Sequence, residues 1–135
     1  MLKRAIKIAE KAHAGQFEKD GGLYLRHPVR LLYILRNDDE LIKTVAMLHD
    51  VVEDSSVSLD DLRKEFPIDV VEAIDGLTRR KDEHYFDYIN RAKEHPIAKK
   101  VKIADLTDHL RNGHEKYLSK SLIQRYKRAL FIINN

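Results

Sequence analysis

The chain has 135 residues, 43% hydrophobic and 35% charged, which suits one domain able to bury its own core. It contains no cysteine, which excludes disulfides and thiolate-held zinc, so any metal here is bound through histidine and carboxylate. The net charge of +3 is spread along the chain without the concentrated basic face of a nucleic-acid binder, and no apolar run nears the ~20 residues of a membrane span.

The elements follow from hydrophobic spacing. Leu2, Ala5, Ile6, Ala9, Ala12 and His13 recur at intervals of three and four and predict a first amphipathic helix that stops at Gly15. Residues Gly15 to Gly22 read as loop, and the charge-interrupted start Met1 to Lys7 does not suit a signal peptide, so a cytoplasmic protein is expected. Pro28, whose φ is already helical, predicts the start of a second helix carrying Val29, Leu32 and Leu35 and ending at Asn37-Asp38-Asp39. A third is expected from Asp39 to about Val52, with Leu41, Val45, Leu48 and Val52 as its stripe. Ser58 with Asp61 reads as an N-cap pair opening a fourth, Leu59 to Phe66, which Pro67 breaks. Val70, Ile74 and Leu77 mark a fifth helix; Tyr85, Tyr88, Ile89 and Ala92 mark a sixth. Pro96 starts a seventh with Val101, Ala104 and Asp105, and Leu122, Tyr126, Leu130 and Ile133 mark the last. Leu23-Tyr24-Leu25 suits a short bridge, but no alternating run is long enough for a strand. The expectation is one all-α domain over residues 1–135, built from about seven or eight helices. The basic clusters Arg79-Arg80-Lys81 and Lys99-Lys100 read as solvated surface.

The pair His49-Asp50 ends the apolar stretch Val45-Ala46-Met47-Leu48 and is followed by Glu53 and Asp54. A neutral nitrogen beside an anionic oxygen on a stiff backbone is what a divalent cation takes. On a continuous helix Glu53 stacks over His49 and Asp54 over Asp50. His49 lies seven residues after Ile42, on the inward side, where an imidazole and an acid are costly unless paired. A surface dyad at a helix end is the plainer alternative. His27, before Pro28, suits a capping residue as well as a ligand. Asp105 interrupts an apolar face and calls for a cation, either a metal or Lys102 three residues earlier. His109 shares the Asp105 face and suits a supporting or substrate contact. His13, His84, His95 and His114 lack a comparable acidic pattern and read as ordinary polar positions, and Glu115-Lys116 as a solvated turn.

Five stretches in order carry a resemblance: Ala12-His13-Ala14-Gly15-Gln16, Lys19-Asp20-Gly21, Tyr24-Leu25-Arg26-His27-Pro28, His49-Asp50-Val51-Val52-Glu53-Asp54 and Lys102-Ile103-Ala104-Asp105. Over residues 12 to about 110 the chain resembles the HD-domain metal-dependent phosphohydrolases. More narrowly it resembles the stand-alone hydrolase domain of RelA/SpoT-type alarmone enzymes, which remove pyrophosphate from (p)ppGpp. The resemblance implies the compact helical HD-domain fold and one divalent cation, usually manganese, on His27, His49, Asp50 and Asp105. It implies Glu53 and Asp54 as the acidic pair that positions or activates the attacking water. It implies Lys19 as a basic contact to a small phosphorylated nucleotide, with neither nucleic acid nor membrane as partner. The chain departs from the family at Glu18, which replaces an arginine that helps hold a guanine base, and at His109, where asparagine is frequent. Both departures bear on the substrate and leave the metal set intact. A hydrolase of another small phosphorylated metabolite, and a non-catalytic metal- or nucleotide-binding module, stay as alternatives.

Overall fold

Side-chain caps and prolines cut the chain into helices where backbone donors need partners. The computed structural model of the protein describes residues 1–111 and 114–135, with His114 by its backbone alone. Helices α1 to α9 span Leu2–Ala12, Arg26–Ile34, Glu40–Leu48, Val51–Asp54, Leu59–Arg63, Ile68–Gly76, Tyr85–Glu94, Pro96–His109 and Lys120–Asn134, and a 3-10 turn covers His114–Tyr117. Among the described residues the extended pairing is a single bridge, Phe17 to Leu23. The chain is therefore all-α. None of the described helices is long and apolar enough to cross a membrane.

The capping chemistry largely follows expectation. Ser58 and Asp61 form the reciprocal capping box of α5, and Asp39 accepts the Ile42 N–H to open α3. His84 and His95, expected as ordinary polar positions, accept backbone N–H groups at the starts of α7 and α8. The side chain of His114 lies outside the described residues.

Several helix boundaries differ from the sequence reading, the end of α2 at Ile34 ahead of Asn37 among them. The helix expected from Asp39 to Val52 is two helices, α3 and α4, separated at His49-Asp50. The His49 ring nitrogen Nδ1 lies 2.6 Å from the Ala46 carbonyl, while the His49 backbone N–H reaches that oxygen at 3.5 Å. A side chain that takes a helical carbonyl competes with the backbone ladder, and Asp50 sits at φ −106°, ψ −1°. The second helix starts at Arg26, two residues ahead of Pro28, because the missing proline N–H falls among first-turn donors that have no helical partner anyway. The α5 helix stops at Arg63, short of Phe66.

Helix α3 is buried along five consecutive residues, Thr44 to Leu48, and packs against α1, α2, α6 and α8. Ala5, Leu31, Val45, Ile74 and Val101 meet around it with no exposed surface. A second cluster joins Tyr88 and Ile89 of α7, Leu106 of α8, and Ala129 and Ile133 of α9. Helix α8 belongs to both clusters. It buries Lys102, Asp105 and Asp108 with its apolar residues, so it has no solvent face along its middle turns.

The turn from α6 to α7 is closed by Arg91, which donates to the Asp75 and Thr78 carbonyls at 2.9 and 2.8 Å and to both Glu83 carboxylate oxygens. Those hydrogen bonds from Arg91 hold the Glu83 carboxyl down at about 2, from an ordinary 4.5. A depressed carboxylate stabilises fully above its unfolded value and loses that contribution as pH falls through its folded value. Glu83→Gln is therefore expected to flatten the decline in stability between pH 4.5 and 2. Urea denaturation across that interval checks it, and equal acid slopes for the two proteins would count against the pairing.

Candidate metal centre and adjoining pocket

Three segments bring donor atoms to one point. His27 comes from the first turn of α2, His49 and Asp50 from the break between α3 and α4, and Asp105 from the third turn of α8. One ligand-type atom from each of His27, His49 and Asp105 lies within 4.8 Å of the other two. His27 Nε2 is 2.8 Å from Asp105 Oδ1, and His49 Nε2 is 3.5 Å from the same oxygen and 2.9 Å from Asp50 Oδ2. The other Asp105 oxygen accepts from Lys102 Nζ at 2.8 Å, so the lysine foreseen as a partner for this acid is in place beside the two histidines.

Each imidazole is oriented through its far nitrogen. His49 Nδ1 donates to the Ala46 carbonyl, and His27 Nδ1 faces Asp108 Oδ2 at 2.8 Å. In the neutral rings both Nε2 lone pairs then point at the acids. His49 Nε2 is buried and makes no hydrogen bond, although two carboxylate oxygens are near. Such an atom is costly to leave unsatisfied. One divalent cation would pair both lone pairs and the Asp105 carboxylate, a donor set that fits a first-row metal, while Asp50, beside His49 and bonded to Tyr24, lies outside that mutual 4.8 Å group.

The same charges act on protons. Burial pushes His27 down, but hydrogen bonds with Asp105 and Asp108 outweigh it and carry the ring up to about 9. For His49 burial again lowers, and the Asp50 charge raises the ring well above its ordinary value. Burial raises Asp50, yet the neighbouring His49 holds it below the usual carboxylate range. Burial and the Asp50 charge keep the Tyr24 phenol protonated, and its hydroxyl donates to Asp50 Oδ2.

Glu53 and Asp54 stand on α4 immediately beyond the dyad. Both are exposed, and both are displaced upward, first by partial loss of hydration and then chiefly by the Asp50 charge. Glu53 accepts the Arg79 backbone N–H, and the Asp54 carbonyl accepts from Gln16 at 2.7 Å. Arg79 and Arg80 turn elsewhere, to the Glu83 carbonyl and the Asp75 carboxylate.

A cavity of about 260 Å³ adjoins the cluster. Glu18, Lys19, Tyr24, His27, His109 and Tyr126 line it, with Phe17 at the rim. His109 stacks between His27 and Tyr126, at centroid distances of 4.7 and 5.1 Å, and its Nε2 is 3.2 Å from Asp105 Oδ1. Glu18 is held by Arg30, which also forks onto Asp108 at 2.9 and 3.0 Å.

Sequence reasoning missed Tyr24, Arg30 and Asp108 as parts of this site. The available signal was spacing: Asp108 follows Asp105 by three on α8, and Arg30 follows His27 by three on α2. His13, expected as an ordinary polar position, is 3% exposed, with its ring 4.7 Å from Tyr24 and Nδ1 bonded to Gln16.

Residues 5–106 match the HD domain family. A guanosine-3′,5′-bis(diphosphate) 3′-pyrophosphohydrolase of Borreliella burgdorferi is 36% identical over 83 residues, 60% of this chain and 12% of that protein. A GTP pyrophosphokinase of Streptomyces coelicolor is 38% identical over 80 residues, 58% of this chain and 9% of that protein. The chain thus spans about a tenth of the length of these curated relatives. A solved structure described as a metazoan ortholog of SpoT that hydrolyses ppGpp superposes with a TM-score of 0.79 at 24% identity, covering 98% of this chain and 84% of that one, and so shares the fold.

A proton on His27 and a metal at this cluster would compete for one lone pair. In the metal-free chain the raised His27 contributes stability that is complete below pH 6.5 and lost as pH climbs through about 9. Divalent-cation affinity is expected to rise over the same interval as that proton leaves. Calorimetric titration with manganese at its two ends checks this, and a pH-independent affinity would contradict it.

Proposed function

Because the chain belongs to the HD-domain family, we propose that residues 1–135 act as one metal-dependent phosphohydrolase domain, a cytoplasmic enzyme that removes phosphate or pyrophosphate from a nucleotide. The favoured substrate is (p)ppGpp, cleaved at its 3′-pyrophosphate. The main support is the buried His49 Nε2 without a hydrogen-bond partner, facing two carboxylates across from His27. The matched relatives carry names for opposite reactions, synthesis and hydrolysis. Acids beside a histidine–carboxylate cluster favour attack by water.

His27, His49, Asp50 and Asp105 would hold the cation, manganese in this reading, which supplies an acidified water and neutralises phosphate charge when bound. Glu53, displaced upward and carried by α4 just after the break at His49-Asp50, accepts the proton of the attacking water. Asp54 beside it orients that water. Tyr24 keeps its own proton and holds the Asp50 carboxylate in place through one oxygen. Lys19 supplies positive charge to the departing pyrophosphate from the cavity wall, Tyr126 offers a ring face to the base, and His109, whose two faces are covered by His27 and Tyr126, meets the substrate through its ring edge.

One observation favours a second reading within the enzyme class. Glu18 places a carboxylate already paired with Arg30 in the cavity wall, where the resemblance leads one to expect a free cation against guanine. Another phosphorylated nucleotide or small metabolite then becomes the better substrate. Manganese-loaded protein is expected to release pyrophosphate from guanosine 3′,5′-bis-diphosphate. Glu53→Gln is expected to slow turnover by about 10²- to 10⁴-fold with manganese affinity kept, while His49→Ala loses both. Turnover confined to other nucleotides selects the second reading. A filled metal site with no turnover across the panel sinks the enzyme assignment.

A further inference from the structure

Glu18 and His27, which both line the cavity, are joined by one continuous chain of charged hydrogen bonds. Glu18 stands in the loop after α1 and lines the cavity, with its side chain 13% exposed. Arg30 Nη1 donates to Glu18 Oε2 at 3.2 Å, and Nη2 donates to Glu18 Oε1. The same guanidinium donates through Nε to Asp108 Oδ1 at 2.9 Å and through Nη2 to Asp108 Oδ2 at 3.0 Å. Asp108 Oδ2 in turn faces His27 Nδ1 at 2.8 Å. Asp108 is 1% exposed, and so is His27.

From this geometry we infer that Arg30 and Asp108 are positioning residues which hold His27 with Nδ1 protonated and Nε2 free for a metal, and that Glu18 anchors this relay at the cavity wall. The inference rests on the metal reading of the preceding section.

A neutral imidazole carries one proton, and the nitrogen that keeps it is the one facing the better acceptor. A carboxylate behind a metal-binding histidine sets that choice and makes the opposite nitrogen more basic. Asp108 is buried, so it can serve as a carboxylate only beside a cation, and Arg30 is the guanidinium that grips both of its oxygens. Arg30 also meets Glu18 through Nη2, so a single nitrogen touches both acids. Lysine cannot reproduce that fork, because its ammonium is a point charge. Removing the guanidinium leaves the buried Asp108 carboxylate without the cation that grips it and weakens its hold on His27. The loop that carries Glu18 also carries Lys19, so the relay connects the phosphate-facing wall to the metal ligand.

Manganese affinity of the full chain tests this, with Arg30→Met, Arg30→Lys, Asp108→Asn and His27→Ala compared with the parent. Thermal melting of each variant in chelator reports folding separately from metal. Arg30→Met and Asp108→Asn are expected to bind manganese about 10- to 100-fold more weakly, with Arg30→Lys between them and the parent. Long-range proton–nitrogen spectra of the zinc-loaded parent are expected to show His27 protonated at Nδ1, with that proton's hydrogen-bond signature lost in Asp108→Asn. A packing role alone would lower the melting temperature without moving that signal or ranking lysine above methionine. Manganese binding by Arg30→Met and Asp108→Asn within twofold of the parent, with His27→Ala impaired, overturns the relay and leaves the metal site standing. Unimpaired binding by His27→Ala overturns the metal site itself. Should Asp108→Asn fail to fold, the lysine–methionine comparison decides.

Discussion

Asp105 is a carboxylate with 4% exposure on the buried face of α8, and a charge in that position is tolerated only when it is surrounded by partners. Lys102 takes one oxygen, and His27, His49 and His109 converge on the other at 2.8, 3.5 and 3.2 Å. Those contacts set the register of α2, of the α3–α4 break and of α8 against one another. Lys102 extends the arrangement outward, with its ammonium 5.0 Å from the centre of the Tyr88 ring in the second cluster. The two hydrophobic clusters and the polar centre between them therefore share one helix, and a shift of α8 disturbs all three.

Much of this was readable from residue order. Apolar spacing located the helices, because amphipathic stripes recur wherever a helix lies half on the core. Acids on apolar faces located Asp50 and Asp105, since such positions demand partners. The break at His49-Asp50 was not readable. The stretch from Leu41 to Val52 keeps its helical spacing throughout, and what interrupts it is a ring nitrogen bonded to a carbonyl three residues back. Glu53 and Asp54 accordingly close a short second helix and do not continue the first.

Asp108 and Arg30 escaped notice for a different reason. Each alone resembles a solvated side chain, and only the packing of α2 against α8 turns them into partners separated by 78 positions. His13 was misjudged on the same ground. Nothing near it in the chain announces burial, which comes from Tyr24 across the loop. Tertiary pairing of polar residues is the part of a site that local pattern does not encode, whereas a charge stranded in an apolar run is visible at once.

Helix α9 lies wholly beyond residue 106, where the match to the family ends, yet its Tyr126 closes the stack that begins at His27. The ligand cluster and the aromatic face beside it thus come from two stretches under different constraints. Substitutions along α9 can reshape what the cavity accepts without touching the clustered donors of His27, His49 and Asp105. A C-terminal segment of this kind gives the domain a way to change clientele while its chemistry stays the same.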